Sequence, residues 1–174
     1  GKGIRTNKAE AIRYYQMAAD LGDVNAMYQL AFTLEKGNEV PPNYELAIKY
    51  YKKAAYYGDE EAIQSLGVLL SSGKVPIDLE ASKHYLKLAA DKGKPGDIFS
   101  YAQLLSQIAL TGDVGKDEML IYIKKAKKNY KKAKQLGHAK SEPYYNLLKS
   151  LLNESIDDVD QFRKHALDGS IGYQ

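Results

Sequence analysis

Residues 11–22 read AIRYYQMAADLG, and residues 47–58, which begin 36 positions later, read AIKYYKKAAYYG. Seven of the twelve positions are identical, whereas unrelated segments of this length share roughly one. Residues 82–93 continue the series 35 positions further on and match it at Ser82, Tyr85, Leu86, Ala89, Ala90 and Gly93. A constant period of about 20 to 50 residues is the mark of repeat proteins, so this repeat decides the fold.

Each copy carries the signals of two helices joined by a tight turn. A glycine ends each copy, where positive φ closes a helix at low cost, and these glycines are Gly22, Gly58 and Gly93. Asp23 and Asp59 follow, as expected of residues that cap the next helix. The other helix of each pair is expected to be capped by Asn7, Asn43 and Asp78. The loop before it is stiffened by prolines, which are Pro41, Pro42 and Pro76. Asn7 also has the spacing of a capping box with Glu10.

The spacing of small and apolar residues predicts the core. One face carries small residues seven and eight positions apart, which are Ala11, Ala18, Ala19, Ala47, Ala54 and Ala55. Rings expected to be buried around them are Tyr14, Tyr15, Tyr50 and Tyr51. The other helix places core residues at Ala26, Leu30, Leu34, Ala62, Leu66, Leu70, Tyr101 and Leu105. The sequence therefore predicts an all-α protein, a single α-solenoid over residues 1–174 built from antiparallel helix-turn-helix repeats of about 35 residues.

The second half of the chain is less regular. The fourth copy is carried by Ala126, Tyr130, Ala133 and Gly137. Gly137 follows Gly93 by 44 residues, eight or nine more than the period, which predicts an insertion across residues 110–117. A degraded fifth copy is expected at Phe162, Ala166 and Gly169. Because neither terminus has the polar character of a capping repeat, we expect the chain to be a piece of a longer array.

The repeat resembles that of the Sel1-like family, a relative of the tetratricopeptide repeats. The resemblance is carried by a small residue, an aromatic pair, a double alanine and a glycine three residues later, as in Ala47, Tyr50-Tyr51, Ala54-Ala55 and Gly58. The loop that contains Gly73 also looks like the connecting segment of that family. The resemblance implies a right-handed superhelix and an adaptor or scaffold role in signalling, in endoplasmic-reticulum protein degradation or in bacterial contact with host cells. The cysteine-rich branch of the family, linked to penicillin binding, is not matched, because this chain has no cysteine.

Composition limits the class of protein. The net charge of +3 is weak and favours no class of partner. No run of eighteen apolar residues is present, so we expect a soluble piece without a membrane span. The absence of cysteine suits a reducing compartment such as the cytoplasm, although it leaves the endoplasmic-reticulum lumen open.

The first candidate surface is a stripe on the first helix of each pair, which lines the concave side of solenoids. The predicted concave stripe consists of Asn25, Gln29, Phe32, Lys36, Glu61, Ser65, Val68, Ser72, Gly96, Ser100, Gln103 and Gln107. Its composition changes from copy to copy while the core repeats, which is typical of a groove that binds a partner protein or peptide. Phe32 and Val68 are its candidate apolar anchors. The alternative is an ordinary solvated helix face.

The second candidate surface is a run of seven lysines within eleven residues, which span about half of a helix circumference. This lysine face consists of Lys124, Lys125, Lys127, Lys128, Lys131, Lys132 and Lys134. The net charge of +3 includes all seven, so the remainder of the chain carries −4 and the positive potential is local. It suits an acidic protein element, nucleic acid or an anionic membrane, although scarce arginine and stacking aromatics weaken specific readout of nucleic acid. The alternative is again a solvated face.

No pattern predicts catalysis, a metal or a cofactor. His84, His138 and His165 lie far apart in sequence and form no metal-binding motif. The remaining enzyme hypothesis is a hydrolase like those of the cysteine-rich branch, and no serine or threonine has a histidine at a suggestive spacing. The sequence therefore favours a non-enzymatic adaptor.

Overall fold

A computed structural model describes residues 8–37, 41–111 and 114–153. Within these ranges the chain forms helices and no strand, so the all-α prediction is confirmed. The helices are α1 (Lys8–Asp20), α2 (Val24–Lys36), α3 (Tyr44–Tyr56), α4 (Glu60–Ser71), α5 (Leu79–Asp91), α6 (Pro95–Thr111), α7 (Lys116–Gln135) and α8 (Ser141–Asn153).

The helices divide between two compact units, Gly1–Asp78 and Leu79–Gln174. Unit 1 holds α1 to α4 and unit 2 holds α5 to α8. Within each unit, every helix packs on the next one along the chain. The single solenoid over residues 1–174 stays a prediction.

The tight turns within the repeats form as the sequence predicts. The four turn glycines have φ between 87° and 93°, and they are Gly22, Gly58, Gly93 and Gly137. The carboxylates of Asp23 and Asp59 each accept a backbone N–H three residues later at 2.7 Å, from Ala26 and Ala62. These bonds satisfy an N–H that the first turn of a helix leaves without a partner.

The longer loops of unit 1 are fastened at corresponding places. The Asn43 side chain caps α3 by accepting the Leu46 N–H at 3.0 Å, and the Asn43 N–H donates to the Leu34 carbonyl at 2.9 Å. The Asp78 N–H donates in the same way to the Leu70 carbonyl, at 3.0 Å. Each loop is therefore held to the end of the helix before it. The Asn7 cap and the fifth copy at Phe162, Ala166 and Gly169 lie outside the described residues.

Most of the predicted core is buried. Ala26, Leu30, Leu34, Ala62, Leu66, Leu70, Leu105, Ala19, Ala47, Ala54, Tyr50 and Tyr51 are all buried. The prediction that the Tyr14 ring is buried is wrong, because its side chain is 66% exposed. Its counterpart Tyr50 contacts Gln16 on α1, whereas no described helix precedes α1 to cover Tyr14. Tyr15 and Tyr101 are half-buried.

The sequence predicts an insertion across residues 110–117. In the structure, the extra residues of the fourth copy lengthen two helices on either side of this stretch. α6 has 17 residues and α7 has 20, compared with 12 in α4 and 13 in α5. The added turns stay helical because they continue the apolar face. Ile108 and Leu110 on α6 are buried, as is Met119 on α7.

Alanine substitutions at two glycines of unit 2 should change the free energy of unfolding in opposite directions. Gly93 has φ of 90°, and a Cβ placed there would meet open space, so Gly93→Ala costs only backbone strain, about 1 kcal/mol. Gly96 lies inside α6 without positive φ and also faces open space, so Gly96→Ala stabilises the helix by about 0.5 kcal/mol. Urea unfolding of both variants checks this. Equal effects of the two substitutions would contradict the assigned turn.

Candidate protein-binding surfaces

The predicted concave stripe has its unit 1 residues on α2, on α4 and at Ser72 just after α4, and two of them are exposed apolar side chains. Phe32 on α2 is 40% exposed and Val68 on α4 is 41% exposed. The polar residues around them are exposed at Asn25, Lys36, Glu61 and Ser72 and half-buried at Gln29 and Ser65. The Lys36 ammonium lies 5.2 Å from the centre of the Phe32 ring, a cation–π distance.

Two side chains mark where the stripe helices of unit 1 come together. Tyr28 on α2 and Ser65 on α4 lie beside each other. The Tyr28 and Phe32 rings lie along α2 with their centroids 6.1 Å apart. Phe32 lies four residues after Tyr28, and Val68 lies three residues after Ser65, so each anchor is one turn beyond this pair on its own helix.

A buried polar network lies beneath this surface. The Tyr51 ring on α3 is fully buried, and its hydroxyl donates to Glu35 Oε2 at 3.0 Å. The other oxygen of Glu35 forms ion pairs with Lys74 at 3.3 Å and Lys36 at 3.4 Å. Burial raises the pKa of the Tyr51 phenol, and the charge of Glu35 raises it further. The phenol therefore stays neutral and ties α2 to α3.

The serines of the stripe lie against other groups of the protein. Ser65 lies beside the side chains of Tyr28 and Tyr51. The Ser72 hydroxyl donates to the Leu69 carbonyl at 2.8 Å, at the end of α4. The Ser100 hydroxyl on α6 donates to the Gly96 carbonyl at 3.1 Å. These serines support the helices, which leaves Phe32 and Val68 as the main apolar contacts that unit 1 offers to a partner.

In unit 2, the rest of the stripe lies on α6. Gly96 is exposed, whereas Ser100, Gln103 and Gln107 are half-buried. The opposite face of α6 is deeply buried at Ile98, Ala102 and Leu105. The stripe residues of α6 therefore form a polar margin that includes no exposed large apolar side chain.

The lysine face occupies the outer side of α7, in unit 2. Its buried side is formed by Met119, Ile123, Ala126, Tyr130 and Ala133, as expected for a packed amphipathic helix. Lys134 forms an ion pair with Glu142 on α8 and lies 6.0 Å from the centre of the Tyr145 ring. The other six lysines have no acidic partner in the part of the chain that the structure describes.

Sequence reasoning missed the polar network and part of the basic surface. Tyr28 and Glu35 are seven residues apart, so a heptad count along α2 places them on the same face. Lys87 on α5 and Tyr101 on α6 lie against the lysines of α7. No spacing signal links residues so far apart in the chain.

The described residues show no arrangement that suits metal binding or a membrane span. In residues 8–37, 41–111 and 114–153, no three histidine or acidic side chains are grouped to hold a metal ion. His138 Nδ1 lies 3.0 Å from the Ser141 hydroxyl, and its ring lies 4.3 Å from the Phe99 ring, which are structural contacts. His165 lies outside the described residues. None of the helices described combines the length and the apolarity that crossing a bilayer requires.

Comparison with known families identifies the repeat. A family model for the Sel1 repeat matches residues 1–23, 24–59, 61–94 and 105–138, which is more than half of the chain. The chain belongs to the Sel1 repeat family. The resemblance seen in the sequence is thereby confirmed, and the matched stretch 24–59 contains the helix pair α2 and α3. No curated protein sequence matches the chain.

Solved structures of Sel1 repeat proteins share the fold. A Sel1 repeat protein from Oxalobacter formigenes is 26% identical with a TM-score of 0.55, over 78% of this chain and 96% of that one. A protective antigen with an SLR fold, present in uropathogenic Escherichia coli strains, is 29% identical with a TM-score of 0.61. That alignment covers 91% of this chain and 33% of the antigen, so the chain spans about a third of its length. The Sel1 repeat family is generally a scaffold for protein–protein interaction and is typically non-catalytic.

The buried phenol predicts how stability depends on pH. Because the pKa of Tyr51 is raised in the folded state, its stabilising effect is complete below about pH 10, the ordinary tyrosine pKa, and is lost as pH rises above it. Above about pH 10, wild type should lose about 1.4 kcal/mol of stability per pH unit more steeply than Tyr51→Phe. At neutral pH the variant should be less stable by about 1.5 to 3 kcal/mol, since the bond to Glu35 is lost. Urea unfolding at a series of pH values measures both effects, and equal slopes would contradict the buried bond.

Proposed function

We propose that the chain is a non-enzymatic scaffold or adaptor, and that the concave stripe of unit 1 binds a segment of a partner protein. The observation that carries the proposal is the exposure of Phe32 and Val68, each one turn beyond the neighbouring side chains of Tyr28 and Ser65. A few apolar anchors near the centre of an interface supply most of its binding energy. Membership of a family of interaction scaffolds supports the same role.

The surroundings of the anchors suit an interface. Polar side chains at Asn25, Gln29, Lys36 and Glu61 lie on the same two helices, and Ser72 directly follows α4. Such a rim excludes water from the anchors when a partner binds, and it provides hydrogen bonds that fix the orientation of the segment. For unit 2 taken by itself, we propose the stripe residues Ser100, Gln103 and Gln107 as polar contacts to a partner.

The network beneath the stripe keeps the surface in one shape. Tyr51 connects α3 to Glu35 of α2, and Lys74 connects the loop after α4 to the same carboxylate. Ser65 brings α4 into contact with both tyrosines. A surface that is already ordered loses less conformational entropy on binding, so more of the contact energy appears as affinity.

Replacing the two anchors tests the proposal. The double variant Phe32→Ser, Val68→Ser should lose its protein partner in affinity capture from nuclease-treated native lysate. Binding of the purified partner should weaken by at least about tenfold, since each anchor is expected to contribute about 1 kcal/mol or more. Both side chains are partly exposed, so circular dichroism should show an unchanged fold.

The matched control also replaces one aromatic and one aliphatic side chain of unit 1 with serine. Leu21 is 89% exposed and Tyr56 is 86% exposed, and neither belongs to the stripe. The variant Leu21→Ser, Tyr56→Ser should retain the partner at wild-type affinity. If the control loses the partner and the stripe variant keeps it, the concave-stripe proposal is wrong.

A further inference from the structure

The lysines of α7 form one wall of a groove whose other wall is α5. The groove has a volume of about 680 Å³ and lies entirely within unit 2. We name it the α5–α7 groove, and it is lined by Lys87 of α5, Tyr101 of α6, and Lys125, Lys128, Lys131 and Lys132 of α7. A second cavity of about 430 Å³ shares Lys87, Tyr101 and Lys125 and extends the basic lining to Lys83.

The charge of the groove is strongly one-sided. Its lining contains five lysines and a single carboxylate, Asp91. That carboxylate is already paired with Lys87 at 2.6 Å. The four lysines that α7 contributes have no acidic partner among the residues described. Cations held side by side repel one another, and an anion placed between them relieves that repulsion.

Only part of the lysine face points into the groove. Lys125, Lys128, Lys131 and Lys132 line it, whereas Lys124, Lys127 and Lys134 do not. Lys134 is turned towards α8, where it is paired with Glu142. The basic surface is therefore directional, and one helix provides both groove lysines and non-groove lysines.

Tyrosine hydroxyls add uncharged hydrogen-bond donors. Tyr101 is half-buried and lines both cavities, beside Lys87. The Tyr122 hydroxyl accepts a hydrogen bond from Lys83 at 3.4 Å, and the Lys83 ammonium lies 5.8 Å from the Tyr122 ring centre. The groove thus offers ammonium and hydroxyl donors over a partly apolar floor, which suits carboxylates carried on a peptide.

We propose that the α5–α7 groove binds an extended acidic segment of a partner protein, with Asp or Glu at alternate positions. Lys128 and Lys132 are four residues apart on α7, a rise of about 6 Å. Alternate side chains of an extended peptide are about 6.6 Å apart, so two of them match the spacing of Lys128 and Lys132. No arginine lines the groove, and its one tyrosine, Tyr101, is half-buried, which disfavours base readout and stacking by nucleic acid.

This surface is separate from the part of the stripe that lies in unit 1. The groove residues belong to unit 2, whereas Phe32 and Val68 belong to unit 1. The variant Phe32→Ser, Val68→Ser should therefore bind an acidic peptide as tightly as wild type. Failure of one proposal is thus distinguishable from failure of the other.

The test is fluorescence anisotropy of the full chain with a fluorescein-labelled peptide of about ten residues that alternates Glu and Ser. Lys128→Glu, Lys132→Glu should weaken binding by about tenfold or more, and Lys128→Gln, Lys132→Gln by a smaller factor, because reversal adds repulsion to the lost attraction. The matched control Lys124→Glu, Lys127→Glu makes the same charge change outside the groove and should cost less than about threefold. Affinity should also fall between about 50 and 200 mM salt.

Three outcomes would overturn the proposal. Equal weakening by the groove pair and the control pair would mean diffuse attraction to the whole lysine face. Equal binding of a peptide with Gln in place of Glu would mean that carboxylates are not recognised. Tighter binding of an oligouridylate of about ten nucleotides, with the same loss in the groove variant, would assign the groove to nucleic acid.

Discussion

The repeat depends on one backbone hydrogen bond at the turn between its helices. The carbonyl of an alanine near the end of a helix accepts the N–H of the residue after the turn glycine. Asp23 donates to the Ala18 carbonyl at 3.0 Å, and Asp59 donates to the Ala54 carbonyl at 3.1 Å. Ala133 and His138 repeat the bond at 3.0 Å in unit 2. This bond fixes the reversal of the chain, and the small alanine side chain lets the next helix approach closely.

A fixed backbone leaves the outer faces of the helices free to differ. Unit 1 presents Phe32 and Val68 among polar side chains, above a network that holds a carboxylate and a buried phenol. Unit 2 presents lysines on α7 that line a groove with Lys87 and have no acidic partner among the residues that the structure describes. The two proposed surfaces therefore differ in the interaction they use. Burial of apolar area would dominate in unit 1, whereas charge attraction would dominate in unit 2.

The internal bonds of the stripe change how it should be probed. Ser65 is half-buried beside Tyr28 and Tyr51, so replacing it with a charged residue would disturb the fold as well as the surface. Phe32 and Val68 are partly exposed and can be changed with little loss of packing. In the same way, Lys134 is a poor probe of the basic surface, because its ion pair with Glu142 connects α7 to α8.

The sequence by itself determined the helices, their turns and most of the core, because local spacing and capping encode them. Gly58 with Asp59 specifies a turn through contacts only a few residues apart, and Ala47 with Ala54 specifies a buried face through helical periodicity. Only the tertiary structure decided that Tyr14 is exposed while Tyr50 is buried, and that the extra residues of the fourth copy lengthen α6 and α7. It also decided which lysines face Lys87. These features depend on which helix packs beside which, and contacts between residues distant in the chain leave no periodic signal in it.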